Sequence, residues 1–288
     1  MGYRDGGGDG RRIAVPQLLQ HTSGLPDYPF SLGDLTGKGR HTYRDPRTLL
    51  DVGLAHKALF APGTSWSYSN TDYLLAGLLI EKVTGRPLAE QITKRVIGRI
   101  GLRHTSFPGV GEERIREAHP QGCFAAKPGA PLENITEMDP SWGWAAGQVI
   151  STPSELNRFF TALLDGKLLK PAQLAQLRTT VKVPESAGMG PGVRYGPGVI
   201  STPLSCGGLM WGHGGDIHGY ATRAPVSPMT AAPSRSPSPP TQDRPPSRAP
   251  SMSRPSSTPP CARSEGWRSA EPGATPTLKS PADSMVGK

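Results

Sequence analysis

Cysteine is scarce in this 288-residue chain: Cys123, Cys206 and Cys261 are an odd number that cannot all pair within one chain, and their spacing matches no metal-ligand pattern. They leave the redox compartment open. No apolar run approaches the roughly 20 residues that a membrane span needs, so no membrane span is expected. The first ten residues, Met1 to Gly10, are polar and Gly-rich and contain no apolar h-region of a secretory signal. As written, the chain is therefore expected to stay in the cytoplasm. Aromatic residues make up only 6% of it, and none alternates with the arginines as a nucleic-acid platform requires.

What is present is unevenly distributed. From Met1 to Thr222 apolar segments recur between Gly and Pro turns, as in a globular domain. From Arg223 to Lys288 they do not. That stretch holds 15 of the 32 prolines and, of Leu, Ile, Val and Phe, only Val226, Leu278 and Val286. It has too little apolar surface to offset the entropy of ordering, so 223–288 is read as a disordered Pro/Ser/Arg-rich tail and 1–222 as the folded domain. The formal charge of +9 divides into +5 on the tail, with nine Lys or Arg against four Asp or Glu, and +4 on the domain. Charge alone could draw the tail to an anionic polymer, but a solvated tail without a nucleic-acid partner is the simpler reading.

Within 1–222 the pattern predicts helices over Val15–Gln20 and Arg47–Leu59, then a third beginning near Asn70 or Thr71 with Leu74, Leu75, Leu78, Leu79 and Val83 turned inward and Gly85 as its stop. Another runs from Pro87 to Gly101. Residues 104–140 read as loop. Thr152-Pro153-Ser154-Glu155 fits a capping box, and Leu156, Phe159, Phe160, Leu163 and Leu164 follow helical spacing up to Gly166. A shorter helix is expected over Pro171–Arg178. β structure enters late, over Val193–Ile200 and Gly208–His213.

Two stretches could carry chemistry. Pro62-Gly63 turns the chain so that Tyr68, Ser69 and Asn70 arrive at the mouth of an apolar helix, which suits a proton-transfer hydroxyl beside a substrate-orienting amide. Packing by Tyr68 and capping by Asn70 is the ordinary alternative. In Trp211-Gly212-His213-Gly214-Gly215-Asp216-Ile217-His218, glycines beside a histidine at a strand end let a backbone N–H point into a cleft, as an oxyanion hole requires. His213, Asp216 and His218 match no standard zinc spacing, and no metal or other cofactor is expected.

Taken together, Leu18-Leu19-Gln20-His21-Thr22-Ser23-Gly24-Leu25, Pro62-Gly63-Thr64 with Tyr68-Ser69-Asn70, Ala146-Gly147-Gln148-Val149-Ile150-Ser151-Thr152-Pro153 and His213-Gly214-Gly215 resemble the serine β-lactamase and penicillin-binding-protein superfamily. The branch is that of class C β-lactamases and D-alanyl-D-alanine carboxypeptidases. The resemblance spans about Arg11 to Tyr220 and implies an α+β, β-lactamase/transpeptidase-like fold: an antiparallel sheet flanked by helices, with a helical subdomain. It implies proton transfer by Tyr68 and substrate binding by Asn70. His213, Gly214 and Gly215 become cleft-lining residues, and the Asp216 N–H a candidate oxyanion donor. His21, Thr22 and Ser23 read as a structural turn without chemistry.

Two departures from the family pattern shape the expectation. No lysine has a serine three residues before it, so the Ser-x-x-Lys nucleophile and its base are missing from these 288 residues. Ser69 is the nearest substitute, with no lysine beside it. Gly214 stands where carboxypeptidases often carry a hydroxyl, which weakens the case for a carboxylate-bearing substrate and leans toward an esterase-like or broad hydrolase. The chain also passes abruptly into Pro, Ser and Arg after Thr222, as a frameshift near Arg223 together with a late start would produce. Unpaired sheet edges and marginal stability are then expected. The leading expectation is a serine hydrolase of this type, acting on a D-alanyl peptide, β-lactam or ester but inactive as this chain. The alternative is a non-catalytic module that keeps a cleft for peptidoglycan-like ligands. Intact members are usually exported.

Overall fold

The computed structural model describes residues 10–226. The reading of Met1–Gly10 falls almost wholly outside them, and so does the disorder expected for the tail, apart from 223–226. The helical part comprises α1 (Val15–Leu19), α2 (Pro46–Leu54), α3 (Asn70–Thr84), α4 (Leu88–Ile92), α5 (Gly98–Ile100), α6 (Trp144–Gly147), α7 (Pro153–Leu164) and α8 (Pro171–Leu177). A π-helical turn, Thr93–Ile97, joins α4 to α5, so the helix expected from Pro87 to Gly101 is one continuous rod with a wide turn in it. α2 is shorter than expected, ending at Leu54. It is capped by Asp45, whose carboxylate accepts from the N–H groups of Arg47 and Thr48.

The strands are β1 (Cys123–Phe124), β2 (Glu133–Asn134), β3 (Val181–Lys182), β4 (Arg194–Tyr195), β5 (Ile200–Pro203), β6 (Leu209–Ile217) and β7 (Tyr220–Val226). β1 and β2 form a small hairpin inside the stretch read as loop. β3 to β7 form a five-stranded antiparallel meander in sequence order. β7 continues past Thr222 through Arg223, Ala224, Pro225 and Val226, so the last strand runs four residues beyond the boundary drawn from composition. Pro225 is tolerated because β7 is paired on one side only and its missing N–H breaks no second ladder.

α7 lies on this sheet. Phe160, Leu163 and Leu164 pack with Leu177, Val199, Trp211 and Ala224 in one apolar cluster. Its N-terminus shows the expected Thr152 cap, with Thr152 Oγ1 accepting from Glu155 N–H at 3.2 Å. The reciprocal half of the capping box is absent. Glu155 instead accepts from the Arg103 and His104 N–H groups and from Thr105 Oγ1, tying the loop after α5 to the start of α7.

α3 is buried at its beginning and bare at its end. Leu74 is fully enclosed with Tyr28 and Leu49, whereas Val83, expected to face inward, is 84% exposed, and Leu79 and Ile80 also reach solvent. Gly77 is the contact point with α6, because any Cβ there would collide with Ala145 and Trp144. No helix among the described residues is long and apolar enough to cross a membrane.

Candidate functional site

The turn after α1 sets the position of everything around Tyr68. His21 takes a left-handed backbone conformation, φ 58°, which bends the chain sharply out of the helix. Backbone hydrogen bonds then stitch the turn to the Pro62–Ser67 loop and the residues before it: Leu59 N–H to Gly24 C=O at 2.9 Å, Gly63 N–H to Thr22 C=O at 2.7 Å and Ser67 N–H to His21 C=O at 3.0 Å. Gly24, at φ 81°, is obligatory because a side chain there would run into the Phe60 carbonyl. The loop consequently enters α3 along one fixed path.

The N-terminus of α3 is capped from a distance. Ser69 occupies the cap position, but its side chain makes no capping bond. Asp27 does the work, accepting from Asn70 N–H at 2.7 Å and from Asn70 Nδ2 at 3.0 and 3.2 Å. Asn70 is thus the first helical residue and not the cap, and its amide is fixed with Oδ1 3.4 Å from the Tyr68 hydroxyl, which donates to it. Burial raises the Asp27 carboxyl pKa to about 6 even though Asn70 opposes the shift.

Tyr68 lies between two histidines, its ring centroid 4.4 Å from His21 and 6.3 Å from His213. The structure therefore brings Tyr68, Asn70 and His213 together, although 145 positions of sequence separate the first from the last. Burial, with Asp27, Asp72 and Asp216 nearby, pushes the Tyr68 phenol up to about 12. It keeps its proton at neutral pH and can donate a hydrogen bond, but it is no general base as it stands.

His213, Gly214, Gly215 and Asp216 lie on β6. β5 pairs only with Leu209–Gly212 of β6, so from His213 onward β6 is bonded on the β7 side alone and its other edge is unpaired beside Tyr68. The Asp216 side chain turns to Arg223 Nη1 at 2.8 Å on the exposed surface. Gly214 has little room for a side chain, since a Cβ would stand 3.2 Å from the Thr222 carbonyl.

Ser69 is excluded as a nucleophile. It is fully buried, and its hydroxyl donates to the Pro26 carbonyl at 3.1 Å. Asp27, Asp72 and Tyr195 escaped the sequence reading, and His21 and Ser23 entered it as structure only. Asp72 and His21 form a fully enclosed pair, Oδ2 to Nδ1 2.9 Å, and Ser23 Oγ donates to the other Asp72 oxygen at 2.5 Å. Tyr195 on β4 bridges the histidines, its hydroxyl 3.1 Å from His21 Nε2 and 2.8 Å from His213 Nε2. The turn read as merely structural is hydrogen-bonded into the buried cluster beside Tyr68 and His213. The signal that could have exposed Asp72 is a charged residue placed at Asn70 + 2 on the inward face of an otherwise apolar helix. Among the described residues no group of His, Cys, Asp and Glu is arranged to hold a metal ion. A surface hollow lined by Val110, Glu112, Arg114 and Glu137 contains none of the candidate residues.

The chain is similar to several known proteins. A D-stereospecific amidohydrolase from Streptomyces sp. superposes with a TM-score of 0.72 at 40% identity, covering 78% of this chain and 67% of that one. The D-amino acid amidase from Ochrobactrum anthropi SV3, in complex with L-phenylalanine amide, gives 0.58 at 27% identity over 72% of this chain and 58% of its own. A penicillin-binding protein of Bacillus subtilis is 26% identical over 226 residues, 73% of this chain. Protein flp of Staphylococcus aureus is 34% identical over 100 residues, 35% of this chain. The aligned part of the chain spans 48% of the Bacillus protein and 19% of flp. The family model described as Beta-lactamase matches residues 3–233. With that match and the antiparallel sheet flanked by helices in place, the chain belongs to the Beta-lactamase family of the serine β-lactamase and penicillin-binding-protein superfamily.

Proposed function

We propose that residues 10–226 form the substrate-holding part of a serine amidohydrolase site, and that a polypeptide of this sequence binds an amino acid amide or a related ester without being acylated by it. The observation that carries this reading is the convergence of a neutral Tyr68 hydroxyl, an Asn70 amide held by Asp27 and the unpaired edge of β6 at His213. Asn70 holds the amide of the ligand. Tyr68 donates a proton or hydrogen bond, and His213, Gly214 and Gly215 line the other wall. The Asp216 N–H is the candidate donor to the carbonyl oxygen.

The ligand class follows from two supports. The structural relatives include enzymes named for D-amino acid amides, and Gly214 offers no hydroxyl to a terminal carboxylate. A neutral amide or ester end suits that wall better than an acid. Acylation needs a nucleophile and its base, and neither Ser69 nor a Ser-x-x-Lys pair supplies them within these 288 residues.

Calorimetry with D-phenylalanine amide tests the cleft. Saturable binding is expected, with Asn70→Ala weakening it about tenfold, the cost of one hydrogen bond. Absence of binding, or binding indifferent to Asn70→Ala in a folded variant, overturns the assignment. Intact-mass measurement after incubation with a penicillin should show no added mass. A covalent adduct would show that this chain does contain a nucleophile.

A further inference from the structure

A run of five polar groups crosses the interior behind Tyr68, from Ser23 through Asp72, His21 and Tyr195 to His213, and ends on the Gly214 carbonyl. Hydroxyls, carboxyls and imidazoles can each be turned either way, so such a run has no inherent direction. Two backbone groups give it one. Ser69 N–H points at His21 Nδ1, 3.3 Å away, and an N–H can only donate. The Gly214 carbonyl, 2.5 Å from His213 Nδ1, can only accept.

We infer that these two backbone groups set His21 and His213 in opposite tautomers and that Asp72, His21 and Tyr195 are positioning residues for the cleft-lining strand. His21 Nδ1 bears the lone pair, so its proton is on Nε2 and goes to the Tyr195 oxygen. Tyr195 O–H then donates to His213 Nε2. His213 carries its proton on Nδ1 and gives it to the Gly214 carbonyl. At the far end, Asp72 Oδ2 faces a lone pair, so the carboxyl is protonated there and donates to His21, while its Oδ1 accepts from Ser23.

The reverse direction fails at both ends. It would set His21 Nδ1–H against Ser69 N–H, two donors face to face, and the His213 Nδ1 lone pair against the Gly214 carbonyl, two acceptors at 2.5 Å. The electrostatics agree with the forward one. Burial lowers His21 to about 3 and lowers His213 as well, keeping both rings neutral, and it raises Asp72 to about 8, keeping the acid protonated. Each donor in the chain meets one acceptor, with no uncompensated charge in the interior.

The consequence for the cleft lies in the last link. The C=O of Gly214 and the N–H of Gly215 belong to one planar trans peptide and point in opposite directions. The Gly215 N–H therefore turns toward β7, where Gly215 pairs with Thr222, and the pinned Gly214 carbonyl stands on the unpaired edge of β6 beside the site. The inference holds in the ligand-free chain and stands whether or not D-phenylalanine amide binds.

The test is nitrogen NMR on the full 288-residue chain labelled with 15N-histidine, the His21 ring being assigned through its contacts with Trp66 and Tyr68. The expected result is a protonated Nε2 and bare Nδ1 in His21, with the reverse in His213. Asp72→Asn should preserve both patterns, because an amide N–H replaces the acid O–H toward His21 and the amide oxygen still accepts from Ser23. Tyr195→Phe, which removes one oxygen, should keep the His213 proton on Nδ1 against the Gly214 carbonyl but shift the His213 Nε2 resonance, now without its donor, with the sheet intact by circular dichroism. The same tautomer in both histidines, a cationic His213 at neutral pH, or a His213 Nε2 resonance unmoved in Tyr195→Phe would each overturn the inference.

Discussion

The interior under the sheet and the interior behind Tyr68 are both shielded from solvent, yet they are held by opposite means. Below β5 to β7, Phe160, Leu163, Leu164, Leu177, Val199 and Trp211 touch through apolar atoms alone. Behind Tyr68, His21, Ser23, Ser69, Thr71 and Asp72 are as deeply buried, and they are joined by directed hydrogen bonds, including Thr71 Oγ1 to the Pro26 carbonyl at 2.5 Å. Apolar packing depends on filled volume and tolerates exchange of shape for shape, whereas a buried polar network depends on every partner being present. The region that carries the site is the region that cannot be altered one atom at a time.

That contrast can be broken or sharpened by four measurements. The largest loss is expected from Phe160→Ala, about 3–5 kcal/mol by urea unfolding, with Phe160→Leu recovering most of it. A loss below about 1 kcal/mol would mean that the sheet interior is not close-packed. Tyr195→Phe, a change of one oxygen, should cost about 1–3 kcal/mol because it strands the His21 N–H and the His213 nitrogen. An unchanged midpoint would place water or another partner there.

The third effect is a pH slope. The unfolded chain exchanges protons at the ordinary values of 3.8 for Asp72 and 6.5 for His21, and the folded chain at about 8 and about 3. Between about pH 4 and 6.5 both states of the pair hold one proton, on Asp72 when folded and on His21 when unfolded, so stability from this pair is flat. Below that range the unfolded chain takes up a second proton, and above it the unfolded chain loses its only proton while the folded one retains it. Stability should fall in both directions, on the alkaline side by at most about 2 kcal/mol up to pH 8. In Asp72→Asn the alkaline fall attributable to the pair should vanish. Wild type and variant sharing one alkaline slope would mean that Asp72 is ionised when folded. The smallest effect is Thr152→Ala, about 1 kcal/mol for a lost cap at the start of α7, read as a shift in thermal midpoint.

The two regions were also unequally legible. α7 could be read closely from sequence, because Thr152, Pro153, Leu156, Phe160 and Leu163 act through neighbours three and four positions away. Tyr68 with Asn70, and His213, were singled out as two separate stretches, and only the family resemblance joined them, since no local rule links residues on a loop and on a strand this far apart. Asp27 was missed because the α3 cap comes from a segment 43 positions away in sequence. The pairing of His21 with Asp72 was missed for the same reason, at 51 positions. β7 was cut short because Pro225 and Arg223 look like tail residues, and only the pairing with Gly212 and Gly214 shows them to be strand.

The Asp27 carboxylate has one more implication, for how such a cleft can change over generations. The same oxygen that begins α3 also holds the Asn70 side chain. A substitution that re-aims Asn70 by altering Asp27 also uncaps the helix, so novelty and foldability cannot be varied separately at this point. In a mutagenised library, changes of specificity should accumulate along the His213–Gly215 edge and leave Asp27 and Asn70 as a frozen pair.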